Sequence, residues 1–296
     1  MKFIKSSAPH IWKKGSKDQI MGLVILALLP ATFTGAYIFG QQALLIIITG
    51  LITAWVTDIA MQFLTKNRGS IINLSSILTG LLLALVLPPT APLWMPAVGT
   101  IIAVSIGKYA FGPGNSIFNP ALVGRAFLVL SWPQLMSTWV APDGVTKATP
   151  LAANVKPLYT ELFFGSVGGC IGETSAIALL LGGVFLIVFR VIDWRIPFTY
   201  IATVGVLTSI TGSDPLFHIL AGGLIIGAFF MATDYVTIPI TGNGRLIFAV
   251  GCGLLTFLFR IYSGMPEGVM YSILLMNALT PLIEKLTVPK PFGGKR

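Results

Sequence analysis

Long apolar stretches recur along the whole chain, and no other feature constrains its fold as much. Ten candidates stand out, at roughly 20–39, 43–63, 71–87, 93–110, 119–136, 173–192, 196–212, 216–233, 245–261 and 268–286. A helix needs about 20 mostly apolar residues to cross a bilayer. Several of these stretches are short or carry internal Gly and Pro, so interrupted helices are expected among them. Charge is scarce as well: charged residues are 10% of the 296, against about 25% in ordinary globular proteins. Ten acids and nineteen bases cannot cover the surface of a soluble protein that is 55% hydrophobic. A mean hydropathy of +0.87 also excludes a disordered chain, and no Gly-X-Y period suggests collagen. The expected fold is an all-α integral membrane protein of about ten transmembrane helices, some interrupted, with one long outside loop. The first stretch reads as a span, not a cleaved leader, because nine more follow it.

The net charge of +9 is compatible with nucleic acid, anionic lipid or membrane topology, and the positions of the bases decide among them. With the N-terminus inside, sixteen bases fall at inside ends and loops, including Lys17, Lys66, Lys108, Arg125, Arg190, Arg195, Arg245 and Lys285. Outside stand only Lys147, Lys156 and Arg260. That is a strong positive-inside bias, and it implies a multi-pass protein of the cell (inner) membrane with both termini cytoplasmic. Nucleic-acid binding would place the bases on one face among stacking aromatics, and the sequence does not. The organisation that follows is a basic cytoplasmic segment (1–19) along the lipid headgroups, a five-helix half (20–136), an extracytoplasmic loop (137–172), a second five-helix half (173–286) and a cytoplasmic tail (287–296). Within the loop, LFFGSVGGCIG at 162–172 is apolar but too short to cross, so it reads as re-entrant or interfacial.

A weak internal similarity relates 79–109 to 205–235. Both copies end in a charged residue and Tyr, followed by a turn and an Arg. In this topology the copies run the same way, which does not suit an inverted five-plus-five repeat. Either the echo is accidental or the span count is off by one.

Ionisable groups inside the spans are expensive and by default functional. Asp58 lies in the inner half of the second stretch, where its bland reading is a salt bridge to Lys66 or Arg68. Asp234 ends the eighth stretch, and pairing with Arg245 is its bland reading. His218 and the two cysteines, Cys170 and Cys252, form no metal-ligand spacing and read as structural. The run GPGNSIFNPALVGR (112–125) breaks one helix and starts another, with Pro120 at a first-turn position. Arg125 then lies about one turn inside the span, where it reaches either cytosolic headgroups or an anion or carbonyl such as a phosphate or a flavin. Asn119 and Arg125 are therefore candidate cofactor contacts. In the outside loop, DGVTKATPL (143–151) is an Asp-Gly turn followed by threonines, and Pro150 biases Thr149 to extended backbone, which presents its hydroxyl.

DGVTKAT resembles the flavinylation motif of the RnfD/NqrB family: Asp, two residues, Ser or Thr, one residue, Ala, then Thr or Ser. FNPALVGRAF (118–127), the ten-span hydropathy and the short basic N-terminus are similar to that family over essentially the whole chain. NqrB chains have a longer N-terminal region, so the resemblance is closer on the RnfD side. It implies FMN attached through a phosphoester to Thr149, with Asp143, Thr146 and Ala148 read by a flavin transferase, and it leaves room for a second flavin such as riboflavin. Lys147 departs from the family, many of whose members have Gly there. The implied function is a membrane subunit of an ion-translocating (Na+ or H+) ferredoxin:NAD+ oxidoreductase, not catalytic alone, whose partners are the other membrane and peripheral subunits of the Rnf complex. The competing reading from composition is a small-solute channel or transporter without flavin.

Overall fold

The structure, a computed structural model, describes residues 16–66, 73–112, 115–139, 151, 159–165, 167–263 and 268–289. Among the described residues every regular element is helical. All ten apolar stretches are helices or broken helices, though few are one simple span.

The first two stretches join as α1 (Ser16–Leu64), broken at Gly40, whose φ of 68° and ψ of −148° are not helical. Lacking a Cβ, Gly40 takes this left-handed conformation without steric cost. The third stretch supplies α2 (Leu74–Leu85), and its neighbours show that α1 folds back on itself. Gly22 lies beside Leu74 and Gly50 beside Gly80, Gln42 bonds the Ala91 carbonyl at 3.2 Å, and Asp58 meets Ser76. The first half of α1 therefore ascends with α2, and the second half descends against it. At the Gly50–Gly80 crossing a Cβ on Gly80 would lie 2.5 Å from the Gly50 carbonyl oxygen, so only glycine lets the backbones meet.

α2 has only 12 residues, about 18 Å at 1.5 Å per residue, against an apolar bilayer core of about 30 Å. Asn73 caps its start by accepting from Ser75 N–H at 3.2 Å. Its other end stops inside the protein, where the re-entrant stretch covers it. The Gly172 N–H donates to the Leu85 carbonyl at 2.7 Å and the Ile171 N–H to Leu87 at 3.1 Å, while the Cys170 thiol donates to Val86 at 3.1 Å. Backbone that leaves a helix at this depth is tolerated only when protein satisfies it.

Two further spans are composite. The fourth is α3 (Trp94–Ile102), which widens into the π-helix π1 (Ala103–Tyr109). It is followed by α4 (Pro120–Ser131) and the single turn α5 (Pro133–Met136). After the loop come α6 (Tyr159–Phe164), α7 (Ala176–Val188) and α8 (Arg195–Ile210). The eighth stretch then divides into α9 (Pro215–Leu220), α10 (Leu224–Ile226) and the π-helix π2 (Gly227–Met231). Gly222 and Gly223, with φ of 69° and 68°, make the break. α11 (Gly242–Tyr262) and α12 (Gly268–Thr287) complete the chain. Among the described residues, these two and the α1 run Lys17–Leu64 are the helices long and apolar enough to cross a membrane, and α2, α4, α7 and α8 are shorter apolar helices. Phe33, Ile52, Leu181, Val188, Ile210, Leu258 and Leu282 face outward, as lipid-facing positions do.

Candidate functional site

Lys17, Lys66, Arg190, Arg195, Arg245 and Lys285 gather at one end of the bundle, called here the basic end. A cavity of about 240 Å3 opens there. Its walls are largely apolar, from Ile20, Met21 and Val24 of α1, Leu78 and Leu82 of α2, and Phe229 and Phe230 of π2. Lys108, Asn119 and Asp234 supply polar groups to the same space. An apolar pocket with a few convergent polar groups is the usual form of a small-molecule site.

Asn119 is fixed from three sides. Its side-chain oxygen accepts from the N–H groups of Ala121 (3.1 Å) and Leu122 (3.3 Å), capping α4. Its Nδ2 donates to the Met231 carbonyl at 3.1 Å, and its own N–H donates to Asn277 Oδ1 at 3.2 Å. A residue so held is a rigid part of the cavity wall.

Behind the wall lies a buried polar cluster. Asp58 is 1% exposed and Lys108 7%, and they form an ion pair at 3.2 Å. Ser76 donates to Asp58 Oδ1 and accepts from Lys108. Tyr109 donates to the same oxygen at 3.0 Å, and Gln62 to Oδ2 at 2.7 Å. Asp58 therefore takes Lys108 and not Lys66, and Arg68 lies outside the described residues. The hairpin at Gly40 turns it toward α2 and π1, and Lys108, counted from sequence as a loop base, is its partner.

Asp234 likewise does not take Arg245. That guanidinium donates to Asp193 at 2.8 Å and to the Pro239 carbonyl at 3.1 Å. Burial works against the Asp193 carboxylate, but the Arg245 hydrogen bond holds it below its usual range. Asp234, at the cavity rim, is pushed up to about 6 by burial, with only the Val236 N–H opposing.

Deeper in the bundle Arg125 meets the re-entrant stretch and not headgroups. It lies 3.5 Å from Glu173 and donates to Cys170 Sγ at 3.4 Å. Arg260 also turns inward, donating to the carbonyls of His218 (2.6 Å), Ala221 (3.1 Å) and Gly222 (2.8 Å) at the helix break. Leu151 packs into this region against Gly222, in small crevices of about 30 Å3 that also touch Glu173. Asn119 and Arg125 thus serve different places, the basic-end cavity and the bundle interior. Thr149, Asp143, Thr146 and Ala148 lie outside the described residues, as do 1–15 and 290–296. Setting aside Lys108, Arg125 and Arg260 as internal partners still leaves fourteen bases expected inside against two outside. Among the described residues no cluster of metal-ligating side chains occurs, and both cysteines are buried thiols that are not joined in a disulfide.

Broken helices around a largely apolar cavity with a few polar groups, and paired charges held inside, define a polytopic membrane protein, beyond a plain membrane anchor. The chain belongs to the NQR2, RnfD, RnfE family, whose profile matches residues 4–293. It is 48% identical to the D-type subunit of the proton-translocating ferredoxin:NAD(+) oxidoreductase complex of Clostridium ljungdahlii, covering 99% of this chain and 97% of that one. It is 46% identical to the D-type subunit of the Na(+)-translocating ferredoxin:NAD(+) oxidoreductase complex of Acetobacterium woodii, covering 97% and 94%. The D-type subunit of the ion-translocating oxidoreductase complex of Stutzerimonas stutzeri is 38% identical over 95% of this chain and 93% of its own.

Proposed function

We propose that the chain is a D-type membrane subunit of an ion-translocating ferredoxin:NAD+ oxidoreductase, an electron-carrying part of a translocase. The single observation that carries this reading is the full-length similarity to relatives that bear that name. Its partners are the other membrane and peripheral subunits of the Rnf complex. The basic end faces the cytoplasm of a cell (inner) membrane, and the Gly40 end, with the loop after α5, faces outward.

The same reading gives the chain FMN, joined as a phosphoester to Thr149 by a flavin transferase that reads Asp143, Thr146 and Ala148. The motif DGVTKAT supports it. The crevices of about 30 Å3 around Leu151 accept a side chain and not a flavin ring. A second flavin suits the basic-end cavity. Its apolar walls match a planar ring, and Lys108, Asn119 and Asp234 offer hydrogen bonds to a polar edge.

Bound flavin supplies one- and two-electron chemistry. This chain's residues do the rest: Asn119 holds the cavity wall in register, Phe229 and Phe230 give it aromatic walls, and Lys108 presents positive charge. In-gel flavin fluorescence tests the attachment. The wild-type chain fluoresces after denaturation, and Thr149→Ala does not while still assembling. Fluorescence that persists in Thr149→Ala removes the site. Solute uptake by vesicles holding the chain alone, without flavin, supports the transporter reading in its place.

A further inference from the structure

Lys108 has two neighbours that compete for it. Its ammonium rests on Asp58 and Ser76, yet the same side chain lines the 240 Å3 cavity. Two unlike places, a buried carboxylate and a ligand-sized space, thus share one cation.

The carboxylate is built to need that cation. Asp58 is 1% exposed and lies within a span, where an uncompensated charge is strongly disfavoured. Around it the charged and titratable neighbours are few. Gln62 comes from its own helix, Asn73 and Ser76 from the start of α2, and Lys108 and Tyr109 from π1. Lys17 of α1 lies near enough to repel Lys108. Across the cavity stand Asp234 and Tyr235. Apart from Lys108, the groups bonded to Asp58 are neutral: the amide nitrogens of Gln62 and Asn73, and the Ser76 and Tyr109 hydroxyls, whose oxygens can also face a cation. Oxygen donors around one carboxylate suit a hard monovalent cation as well as they suit an ammonium.

π1 adds an independent sign. A π-helical stretch is rare and is found frequently at functional sites. Here it carries Lys108 and Tyr109 together against Asp58.

We propose that Asp58, Ser76 and Lys108 form a loading site for a single positive charge, filled by the Lys108 ammonium while the cavity is uncharged. When negative charge arrives in the cavity, the ammonium turns toward it and Asp58 takes a sodium ion or a proton from the basic end in exchange. No bond is made or broken except, in the proton case, the O–H of the Asp58 carboxyl. The charge count closes, because the anion gains the ammonium and the carboxylate gains the incoming cation. The exchange rests on the reading of the cavity as a flavin site, since reduction is what would bring the negative charge. The loading site itself does not rest on it.

The test uses the full chain in lipid nanodiscs, and its first arm needs no flavin. Lys108→Met removes the tethered cation, so its Asp58 binds a substitute that the wild type does not. Equilibrium dialysis against radioactive sodium detects the ion, and infrared spectroscopy detects a protonated carboxyl band. One of the two signals appears in Lys108→Met and is lost in Lys108→Met/Asp58→Asn. Lys108→Gln makes the same comparison if the Met variant does not fold. Neither signal in the folded single variant, or a signal that survives in the double variant, overturns the loading site.

The second arm takes the flavin-loaded wild type and bleaches it with dithionite. The same signal is expected to appear on bleaching and to vanish in Asp58→Asn. Bleaching without it overturns the exchange. A chain that holds no flavin to bleach counts against the proposed function alone, and the first arm still decides the loading site.

Discussion

Asp234 gives the bundle a pH dependence whose sign is fixed by its surroundings. Burial raises its folded-state value to about 6, from 3.8, so the folded chain binds a proton that the unfolded chain releases. Stability attributable to Asp234 therefore falls as pH rises from about 4 to about 6 and is level above that. Asp234→Asn abolishes this slope and raises stability above pH 6 by at most ~3 kcal/mol, read as the difference between thermal midpoints in detergent at pH 5 and pH 7.5. Glu173 acts in the opposite sense, stabilising the bundle by compensating a cation. Glu173→Ala withdraws a carboxylate 3.5 Å from buried Arg125 and lowers stability by about 3 kcal/mol, visible as a drop in the same midpoint.

Among the elements, the broken span between α8 and α11 depends on a distant side chain. Arg260 satisfies the carbonyls of His218, Ala221 and Gly222, which the turn at Gly222–Gly223 leaves without helical partners. Arg260→Met strands them in an apolar setting at about 1–3 kcal/mol each. Arg260→Lys, with fewer donors in less fixed geometry, recovers part of the loss in thermal midpoint. The helix crossing at Gly50 and Gly80 has no such margin, and Gly80→Val forces α1 and α2 apart at about 1–3 kcal/mol. Hydropathy located these elements but not their lengths. The stretch 71–87 reads alike whether α2 crosses the bilayer or stops at Leu85, because carbonyls satisfied by Ile171 and Gly172 leave no mark on an apolar pattern. The re-entrant stretch itself was legible, as an apolar run too short to span. The partner of Asp58 was not, since Lys108 stands fifty residues away and only the fold-back at Gly40 and the π-turn bring them together.

Across the whole molecule, the two similar stretches 79–109 and 205–235 prove to share more than residues. Each ends in a composite span that finishes as a π-helix, π1 and π2, and each is followed by a capped helix, α4 and α11. In the shared register Lys108-Tyr109 matches Asp234-Tyr235, so equivalent positions present opposite charges to one cavity. The two stretches thus share an element pattern, and residues of both line the cavity. The orientation proposed from the charge asymmetry along the bundle is tested directly by thiol labelling of intact cells. An impermeant reagent labels Thr211→Cys at the Gly40 end from outside and leaves Thr65→Cys at the basic end untouched, while buried Cys170 and Cys252 stay silent. In the proposed orientation the segment that carries Thr149 belongs to the outer face, where the proposal places its flavin. Intact mass of the purified chain is the most direct test of that claim. The account predicts that the wild type carries the added mass of FMN less water and that Thr149→Ala carries none. A wild-type chain at its unmodified mass, or an adduct that remains in Thr149→Ala, contradicts it.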